Sequence, residues 1–129
     1  MLRILIIEDD KNTLQGLLEL LRHEEFIVSG AENGKKARHI FANEAFDVVL
    51  CDYRLPDTNG LLLCNDFLMA QPDLQVMLFT AYNISDISKK AERVGIRRIF
   101  AKPIVLDMLF DELAEIKLIK QKIEYLSLS

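Results

Sequence analysis

Carboxylate side chains follow two apolar runs of the sequence, at the points where the runs end. Glu8 and Asp9 come directly after residues 3–7, and Asp52 comes directly after residues 46–51. Carboxylates gathered at one point repel one another, by roughly 4 kcal/mol per pair at 4 Å with an effective dielectric near 20. A hard divalent cation such as Mg²⁺, which prefers oxygen ligands, relieves that repulsion. The pattern therefore predicts an acidic magnesium site.

Two further polar residues end apolar runs, Thr80 after the fourth run and Lys102 after the fifth. A cation, an ammonium group, a hydroxyl and loop amides together neutralise a phosphoryl group, so the set points to phosphoryl chemistry on Asp52. Each residue alone has a simpler interpretation: Asp52 as a loop cap, one acid of residues 8–10 as a helix N-cap, and the other two as ordinary strand-end residues. Their joint occurrence favours the chemical interpretation.

Five apolar runs alternate with five helical patterns along the chain. Strands are predicted at residues 3–7, 26–31, 46–51, 74–80 and 97–101. Helices are predicted at residues 14–25, after a cap at residue 33, and at 61–70, 84–94 and 105–126. Such a (βα)₅ order predicts an α/β fold, a doubly wound parallel sheet with helices on both faces. Because parallel strands end at one edge, Asp9, Asp52, Thr80 and Lys102 are predicted to meet there. Ser29 suggests that the second strand lies near an edge of the sheet, Asn33 is predicted to cap the second helix, and Gly95 to end the fourth.

The composition restricts the class of protein. The chain has 129 residues, of which 50% are hydrophobic, so we expect one folded domain with a substantial core. A net charge of −4 argues against a nucleic-acid-binding surface. Cys51 and Cys64 fit neither a zinc site nor a CxxC pair, so both are predicted to be buried, reduced thiols. No apolar run approaches the ~18 residues of a membrane span, and the first strand leaves no room for a signal peptide, so a cytoplasmic protein is expected.

Four separated motifs carry a family resemblance: ILIIEDD (4–10), DVVLCDYRLPDTNG (47–60), LFTA (78–81) and AKP (101–103). In this order, at the ends of predicted strands, they make residues 2–117 similar to the receiver domains of two-component response regulators. The resemblance implies the flavodoxin-like strand order 2-1-3-4-5, which chemotaxis receivers share. It also implies a signalling protein, with transcription regulation or a phosphorelay as the family's usual context.

The resemblance assigns the chemistry of the acidic residues. It implies that Asp52 accepts a phosphoryl group from a phosphohistidine on a sensor histidine kinase. Asp9 is implied as a direct Mg²⁺ ligand, Glu8 as a ligand through water, and the backbone carbonyl of Arg54 as a further ligand. The domain would then catalyse only its own phosphorylation and dephosphorylation, and would not be an enzyme with an external substrate.

The resemblance also assigns the residues around the phosphoryl group. It implies that Thr80 and the amide of Ala81 bind phosphoryl oxygens and that Lys102 pairs with the phosphate. It further implies a cis peptide bond before Pro103, and that Arg54 and Tyr82 flank the approach of the phosphoryl group and tune its lifetime.

The sequence departs from the family at the aromatic residue that usually reports phosphorylation. That position, three residues before the lysine, is Ile99, and the neighbouring aromatic is Phe100. Strand alternation is expected to turn Phe100 to the opposite face. Either Phe100 substitutes after a local shift, or Thr80 couples to the last two helices without an aromatic; alternation favours the second hypothesis.

The last helix is longer than a receiver needs, which divides the chain into a receiver domain at 1–117 and an extension at 118–129. Leu106, Leu109, Phe110 and Leu113 are predicted to pack on the sheet. Beyond them a 3-4-3 spacing predicts an exposed seam formed by Ile116, Ile119, Ile123 and Leu126. The seam suggests a homodimer, or a signalling helix into a covalently linked output domain absent here, as in receivers joined to transcription-activating ATPases.

Two competing functions stay open on the sequence alone. One is a protein-interaction module of the same fold that acts without phosphorylation. The other is a small hydrolase of the haloacid type, which also uses a strand-end aspartate with Mg²⁺. Such hydrolases need a second aspartate two residues after the first, and here that residue is Arg54.

Overall fold

The computed structural model describes residues 1–128, and Ser129, the last residue of the predicted extension, lies outside the described residues. The described chain forms one five-stranded sheet in the order β2-β1-β3-β4-β5, with all neighbouring strands parallel. The predicted fold and strand order are therefore confirmed. The strands are β1 (Arg3–Ile7), β2 (Ile27–Ala31), β3 (Val48–Asp52), β4 (Gln75–Thr80) and β5 (Arg98–Ala101).

The central strands are buried on both faces, as continuous apolar runs predict. All five residues of β3 are buried, and its side chains alternate between two core clusters. Val49 and Cys51 face one cluster, whereas Val48 and Leu50 face the other. β2 is an outer strand with one buried residue, which agrees with the edge position predicted from Ser29.

Five helices cover the two faces of the sheet. The apolar residues of the first and last helices pack in one cluster, and those of the three middle helices pack in the other. The helices are α1 (Lys11–His23), α2 (Gly34–Asn43), α3 (Gly60–Ala70), α4 (Ile84–Val94) and α5 (Leu106–Leu128). None of them is long and apolar enough to cross a membrane.

Short polar side chains begin four of the helices. Asp10, Asn33, Asn59 and Asn83 each accept a hydrogen bond from a backbone amide of the first turn. Such caps satisfy amides that have no partner within the helix. The cap predicted at Asn33 is thus confirmed, and one acid of residues 8–10 does serve as a cap. Gly95 ends α4 with φ of 100°, as its predicted C-cap position requires.

The last helix extends beyond the sheet that it covers. At 1.5 Å per residue, its 23 residues measure about 35 Å, roughly twice the length of the strands. Leu109 and Leu113 pack in the core as predicted, but Leu106 is 42% exposed because it lies in the first turn. Ile116 was predicted in the exposed seam, and this is wrong: it is 4% exposed and packs in the core. The sheet therefore supports α5 for one turn more than the sequence suggested.

The alternation in β5 is as predicted. Ile99 packs against the cluster beneath the three middle helices, whereas Phe100 is buried in the cluster beneath α1 and α5. The guanidinium of Arg98 lies 5.0 Å from the centre of the Phe100 ring, on the same face. Phe100 is therefore a core residue between the sheet and α5 and does not take the position of Ile99.

Candidate functional site

Four polar residues meet at the carboxyl edge of the sheet. Asp52 is the last residue of β3 and Thr80 the last of β4, while Glu8 directly follows β1 and Lys102 directly follows β5. Glu8, Asp52 and Thr80 are the only polar or charged residues among the buried ones described, with 1%, 5% and 1% exposure. The predicted convergence on one edge is thus present, in an environment where each charge needs a partner.

The carboxylate of Asp52 is held on both oxygens. Its Oδ2 lies 2.5 Å from Nζ of Lys102, and its Oδ1 accepts a hydrogen bond from the amide of Arg54 at 3.1 Å. The lysine also lies 3.3 Å from Oε2 of Glu8. Lys102 reaches the two carboxylates from β5 across β4, and its Nζ lies 5.4 Å from the centre of the Phe79 ring. The ammonium group of Lys102 therefore pairs with two buried carboxylates, those of Glu8 and Asp52.

Three carboxylates form the acidic cluster at this edge. Glu8, Asp9 and Asp52 each offer an oxygen, and these oxygens all lie within 4.8 Å of one another. Within residues 1–128, no other group of three carboxylate, thiol or imidazole side chains comes this close. Asp10 points elsewhere, since its carboxylate accepts hydrogen bonds from the amides of Asn12 and Thr13.

The charges of the cluster are not balanced by Lys102 alone. The pKa of Glu8 is raised from 4.5 to about 7, first by burial and then by the hydrogen bond and negative charge of Asp52. Partial burial acts to lower the pKa of Lys102, but the hydrogen bonds and charges of the two acids outweigh it, and that pKa is raised. Two neighbouring acids that share one proton and one ammonium group carry excess negative charge, as is expected where a cation binds. Their oxygen ligands fit a hard divalent cation such as Mg²⁺.

Thr80 and Ala81 lie beside this cluster, at the end of β4. Phe79 is the register partner of Asp52, so Thr80 is one residue further along the neighbouring strand. The hydroxyl of Thr80 accepts a hydrogen bond from the amide of Tyr82 at 3.0 Å, and among the described residues it makes no hydrogen bond to Asp52. Ala81 is exposed. The peptide bond between Lys102 and Pro103 is cis, as the resemblance implied.

An aromatic ring and a guanidinium group contact each other in the loops that follow β3 and β4. The guanidinium carbon of Arg54 lies 4.7 Å from the ring centre of Tyr82, a cation–π distance. The Tyr82 ring also meets Tyr53 edge to face, with 6.4 Å between centres. Arg54 and Tyr82, which the resemblance placed along the approach to Asp52, are therefore in contact with each other.

Gly60 supports the site in a way that sequence analysis missed. A Cβ atom at this position would lie 2.5 Å from the carbonyl oxygen of Asp52, closer than real Cβ atoms come to backbone. The amide of Gly60 donates to the carbonyl of Tyr53 at 2.6 Å. The pair Asn59-Gly60 is typical of a turn, and a glycine near a strand-end acid also signals close backbone approach.

The loop between β3 and α3 is also tied to α2. Both carboxylate oxygens of Asp57 accept hydrogen bonds from the first amides of α2, those of Gly34 at 2.8 Å and Lys35 at 2.9 Å. These hydrogen bonds lower the pKa of Asp57. In the sequence, Leu55-Pro56-Asp57 is typical of a turn, and nothing local in the chain indicates a partner for Asp57 22 residues away.

Comparisons with known proteins agree with this geometry. A family model described as the response regulator receiver domain matches residues 4–114. The chain is 31% identical over 112 residues to the transcriptional regulatory protein ZraR of Klebsiella oxytoca, which covers 87% of this chain and 25% of that protein. It is 28% identical over 109 residues to sporulation initiation phosphotransferase F of Bacillus subtilis (strain 168), covering 84% of this chain and 88% of that protein.

Solved structures of the same fold include response regulator protein TrrA of Thermotoga maritima, in complex with Mg(2+)-BeF. It superposes with a TM-score of 0.80 at 26% identity and covers 90% of this chain and 99% of that chain. The chain spans between about a quarter and a half of the length of several curated relatives that it matches.

Proposed function

Because this chain belongs to the family of response regulator receiver domains, we propose that it is a phosphorylation-dependent signalling switch whose acceptor is Asp52. The phosphoryl donor in this proposal is a phosphohistidine on a sensor histidine kinase. A carboxylate oxygen of Asp52 forms the new P–O bond as the P–N bond of the donor breaks, and the imidazole nitrogen keeps the bonding electron pair. Nothing is oxidised or reduced in this step.

The observation that carries the proposal is the pairing of Asp52 with Lys102 inside a cluster that has a surplus of carboxylates. Phosphoryl transfer depends on positioning and on neutralising charge. Both carboxylate oxygens of Asp52 accept hydrogen bonds, and Nζ of Lys102 lies 2.5 Å from Oδ2. In this position, Lys102 compensates the negative charge of the acceptor carboxylate and then that of the phosphoryl group. An acid that only closed a loop would not need a second buried acid beside it.

We propose Mg²⁺ as the cofactor, held by Glu8, Asp9, Asp52 and the backbone carbonyl of Arg54. The oxygen-rich donor set fits this ion, and the pKa of Glu8 is raised by its burial and by the neighbouring charge of Asp52, both of which a bound cation would offset. When bound, the ion supplies positive charge for the donor and acceptor oxygens. The relative from Thermotoga maritima described as a complex with Mg(2+)-BeF supports the choice of metal.

Thr80, the Ala81 amide and Lys102 are proposed to bind the phosphoryl oxygens and so to sense the modification. The hydroxyl of Thr80 accepts a hydrogen bond from the amide of Tyr82, so its proton is available to a phosphoryl oxygen on Asp52, and Thr80 is proposed to move in making that bond. Ile99, on the strand next to Thr80, offers no hydroxyl and no ring to follow that movement. We therefore propose that the conformational change on phosphorylation reaches α5 through the backbone of β5, without an aromatic side chain that moves with it.

The switch is proposed to act by changing associations of α5 and its neighbours. The partners in this proposal are the kinase, a second copy of the chain, and an output domain in the longer protein, with the cytoplasm as the compartment. The domain would have no external substrate. A transcriptional regulator among the relatives makes transcription one candidate output. The interaction-module hypothesis is weaker because every group of the phosphoryl site is present, and the hydrolase hypothesis lacks a second carboxylate at Arg54.

Amide NMR with Mg²⁺ and beryllofluoride, which mimics a phosphoryl group on a carboxylate, tests the proposal. We expect shifts at residues 80–105 on adding both reagents, and none in the Asp52→Asn variant. The Asp47→Asn variant, which changes an aspartate at the opposite end of β3, should respond like the unmodified chain. A spectrum that does not change at residues 80–105 would favour the interaction module instead.

A further inference from the structure

The side chain of Lys102 crosses a strand to reach the carboxylate of Asp52. Asp52 ends β3 and Lys102 follows β5, while β4 lies between these two strands. At this level of the sheet the residue of β4 is Phe79, which is the register partner of Asp52 on one side and of Phe100 on the other. A lysine that follows β5 therefore meets an aromatic residue before it reaches the acceptor.

Phe79 and Asp52 lie on the same face of the sheet. Register partners on neighbouring strands share a face, and side chains alternate along each strand. Phe79 and Leu50 pack in the cluster beneath α1 and α5, and Asp52, two residues after Leu50, points to that face as well. Phe79 also lines a cleft of about 970 Å³ together with Lys102 and the acidic residues 8–10. The ring therefore lies at the reactive edge as well as in the core.

The ammonium group of Lys102 stands over the ring of Phe79. Its Nζ lies 5.4 Å from the ring centre, within the distance of about 6 Å at which a cation is attracted to the face of an aromatic ring. Phe79 is 1% exposed, so the surrounding core fixes the ring, whereas the Lys102 side chain is 29% exposed and has a flexible stem. The ring therefore favours orientations in which the ammonium group faces the acids over orientations that extend into solvent.

A second ring on the same face shows what is particular to Phe79. Phe100 is 4% exposed, and the guanidinium carbon of Arg98 lies 5.0 Å from its ring centre. Arg98 pairs with Glu112 of α5 at 3.5 Å, so this contact joins β5 to the last helix. Both rings thus have a cation beside them, but the cation over Phe79 is the one that lies 2.5 Å from the acceptor carboxylate.

We propose that Phe79 is a positioning residue for phosphoryl transfer, whose ring holds Nζ of Lys102 at the acceptor. The inference rests on the proposed function of Asp52. Phe79 acts through the lysine and contacts neither the phosphoryl group nor the cation. When Asp52 is phosphorylated, the partner of Lys102 changes from a carboxylate oxygen to a phosphoryl oxygen, whereas the ring stays in place. It therefore keeps the ammonium group at the carboxyl edge in both states.

The rate of phosphorylation by a small-molecule phosphodonor at saturating Mg²⁺, followed by intact mass, tests this role. Phe79→Met keeps an apolar side chain of similar length but removes the aromatic face, and should slow the reaction by about three- to tenfold. Phe79→Tyr keeps the ring and should stay within about twofold of the unmodified chain. Phe100→Met is the matched control in the same cluster and should leave the rate unchanged. Equal slowing by both methionine variants would show a packing effect and overturn the proposal.

Two measurements separate positioning of the lysine from general damage to the fold. In the NMR spectrum, the ε-methylene protons of Lys102 should lie upfield of their usual position because of the ring current of Phe79. They should return to it in Phe79→Met and not in Phe100→Met. Calorimetric titration should show that Phe79→Met does not weaken Mg²⁺ binding, since the acids keep their places. Unshifted lysine protons in the unmodified chain, or weakened Mg²⁺ binding in Phe79→Met, would overturn the proposal.

The same mass measurement distinguishes failure of this inference from failure of the proposed function. If the unmodified chain and Phe79→Met gain the phosphoryl group at the same rate, the role of Phe79 alone is disproved. If the unmodified chain gains none from either a small phosphodonor or a phosphorylated kinase, both are disproved.

Discussion

The two ends of the sheet each carry a lysine–aspartate ion pair, and the pairs differ in their surroundings. At the carboxyl edge, Lys102 lies 2.5 Å from Asp52, and the side chains are 29% and 7% exposed. At the amino edge, Lys120 of α5 lies 3.1 Å from Asp47, and the side chains are 35% and 28% exposed. Similar chemistry thus appears twice, in a buried and in a half-exposed setting.

The difference lies in what else surrounds each lysine. Asp47 also accepts a hydrogen bond from the amide of Arg3 at 2.9 Å, so its charge is matched by an ammonium and an amide. Lys102 instead faces two buried carboxylates, with Asp9 close by. The surplus of carboxylates thus distinguishes the carboxyl edge, where the proposed phosphoryl site lies, whereas the ion pair between Lys120 and Asp47 holds α5 to the sheet.

The largest expected effect on stability comes from the close approach of Gly60 to the backbone of Asp52 at the carboxyl edge. Gly60→Ala should lower the free energy of unfolding by about 2–3 kcal/mol, because the new Cβ would press on the carbonyl oxygen of Asp52. Gly16→Ala in α1 is the matched control: nothing lies within 4 Å of its Cβ, so helix propensity should stabilise the fold by about 0.5–1 kcal/mol. Chemical denaturation measures both, and equal effects would disprove the close approach.

Removing each lysine compares the ion pairs directly. Lys102→Met leaves two buried acids without a cation and should cost about 1–2 kcal/mol at pH 8, whereas Lys120→Met should cost less than about 1 kcal/mol. Lys102→Met should also strengthen Mg²⁺ binding, because a positive charge next to the acids is lost. Lys120→Met should leave Mg²⁺ binding unchanged. Urea denaturation and calorimetric titration give the two quantities, and the account fails if the variants behave alike.

The pKa of Glu8 predicts how the carboxyl edge responds to pH. Because this pKa rises from 4.5 to about 7 on folding, the folded chain keeps a proton that the unfolded chain releases, and the contribution of Glu8 to stability falls as the pH rises from about 4.5 to 7. Below pH 7 the same proton competes with a cation, so Mg²⁺ affinity should decrease up to about tenfold between pH 7 and pH 6.

Calorimetric titration in two buffers of different ionisation enthalpy measures this competition, since proton uptake by the buffer adds to the heat. Near pH 7, binding should release part of a proton. In Glu8→Gln the release and the pH dependence should disappear. A pH-independent affinity in the unmodified chain would show that Glu8 is already ionised.

The smallest effect concerns the loop that follows Asp52. Asp57→Ala removes two hydrogen bonds to the first turn of α2 and should lower the free energy of unfolding by about 1 kcal/mol. Asp66→Ala, which breaks an exposed pair with Arg38, should change it by less than about 0.5 kcal/mol. If thermal unfolding gives the same change for both, Asp57 has no capping role.

The sequence predicted what depends on short-range pattern. Apolar runs and turn residues located the five strands, so the positions of Asp52, Thr80 and Lys102 at one edge followed from parallel order alone. The two-residue period of a strand correctly separated Ile99 from Phe100. By contrast, the strand order came from the resemblance, because pairing between strands leaves no trace in a single chain.

What the sequence missed depends on distances between separate elements. Ile116 is buried because the sheet supports α5 one turn further than the helical pattern could show. Gly60 matters because α3 begins against the backbone of Asp52, and Asp57 matters because its loop reaches α2. The pairing of Lys120 with Asp47 joins residues 73 positions apart. Apart from the glycine at position 60, none of these contacts has a local signature.

The central claim is that the acid at the carboxyl edge is a phosphoryl acceptor and the acid at the amino edge is not. Intact mass spectrometry after incubation with a small-molecule phosphodonor and Mg²⁺ tests it most directly. We predict that the chain and its Asp47→Asn variant gain the mass of one phosphoryl group, whereas Asp52→Asn gains none. Modification of Asp52→Asn to the same extent, or no modification of the unmodified chain by the phosphodonor or a phosphorylated kinase, would contradict the account.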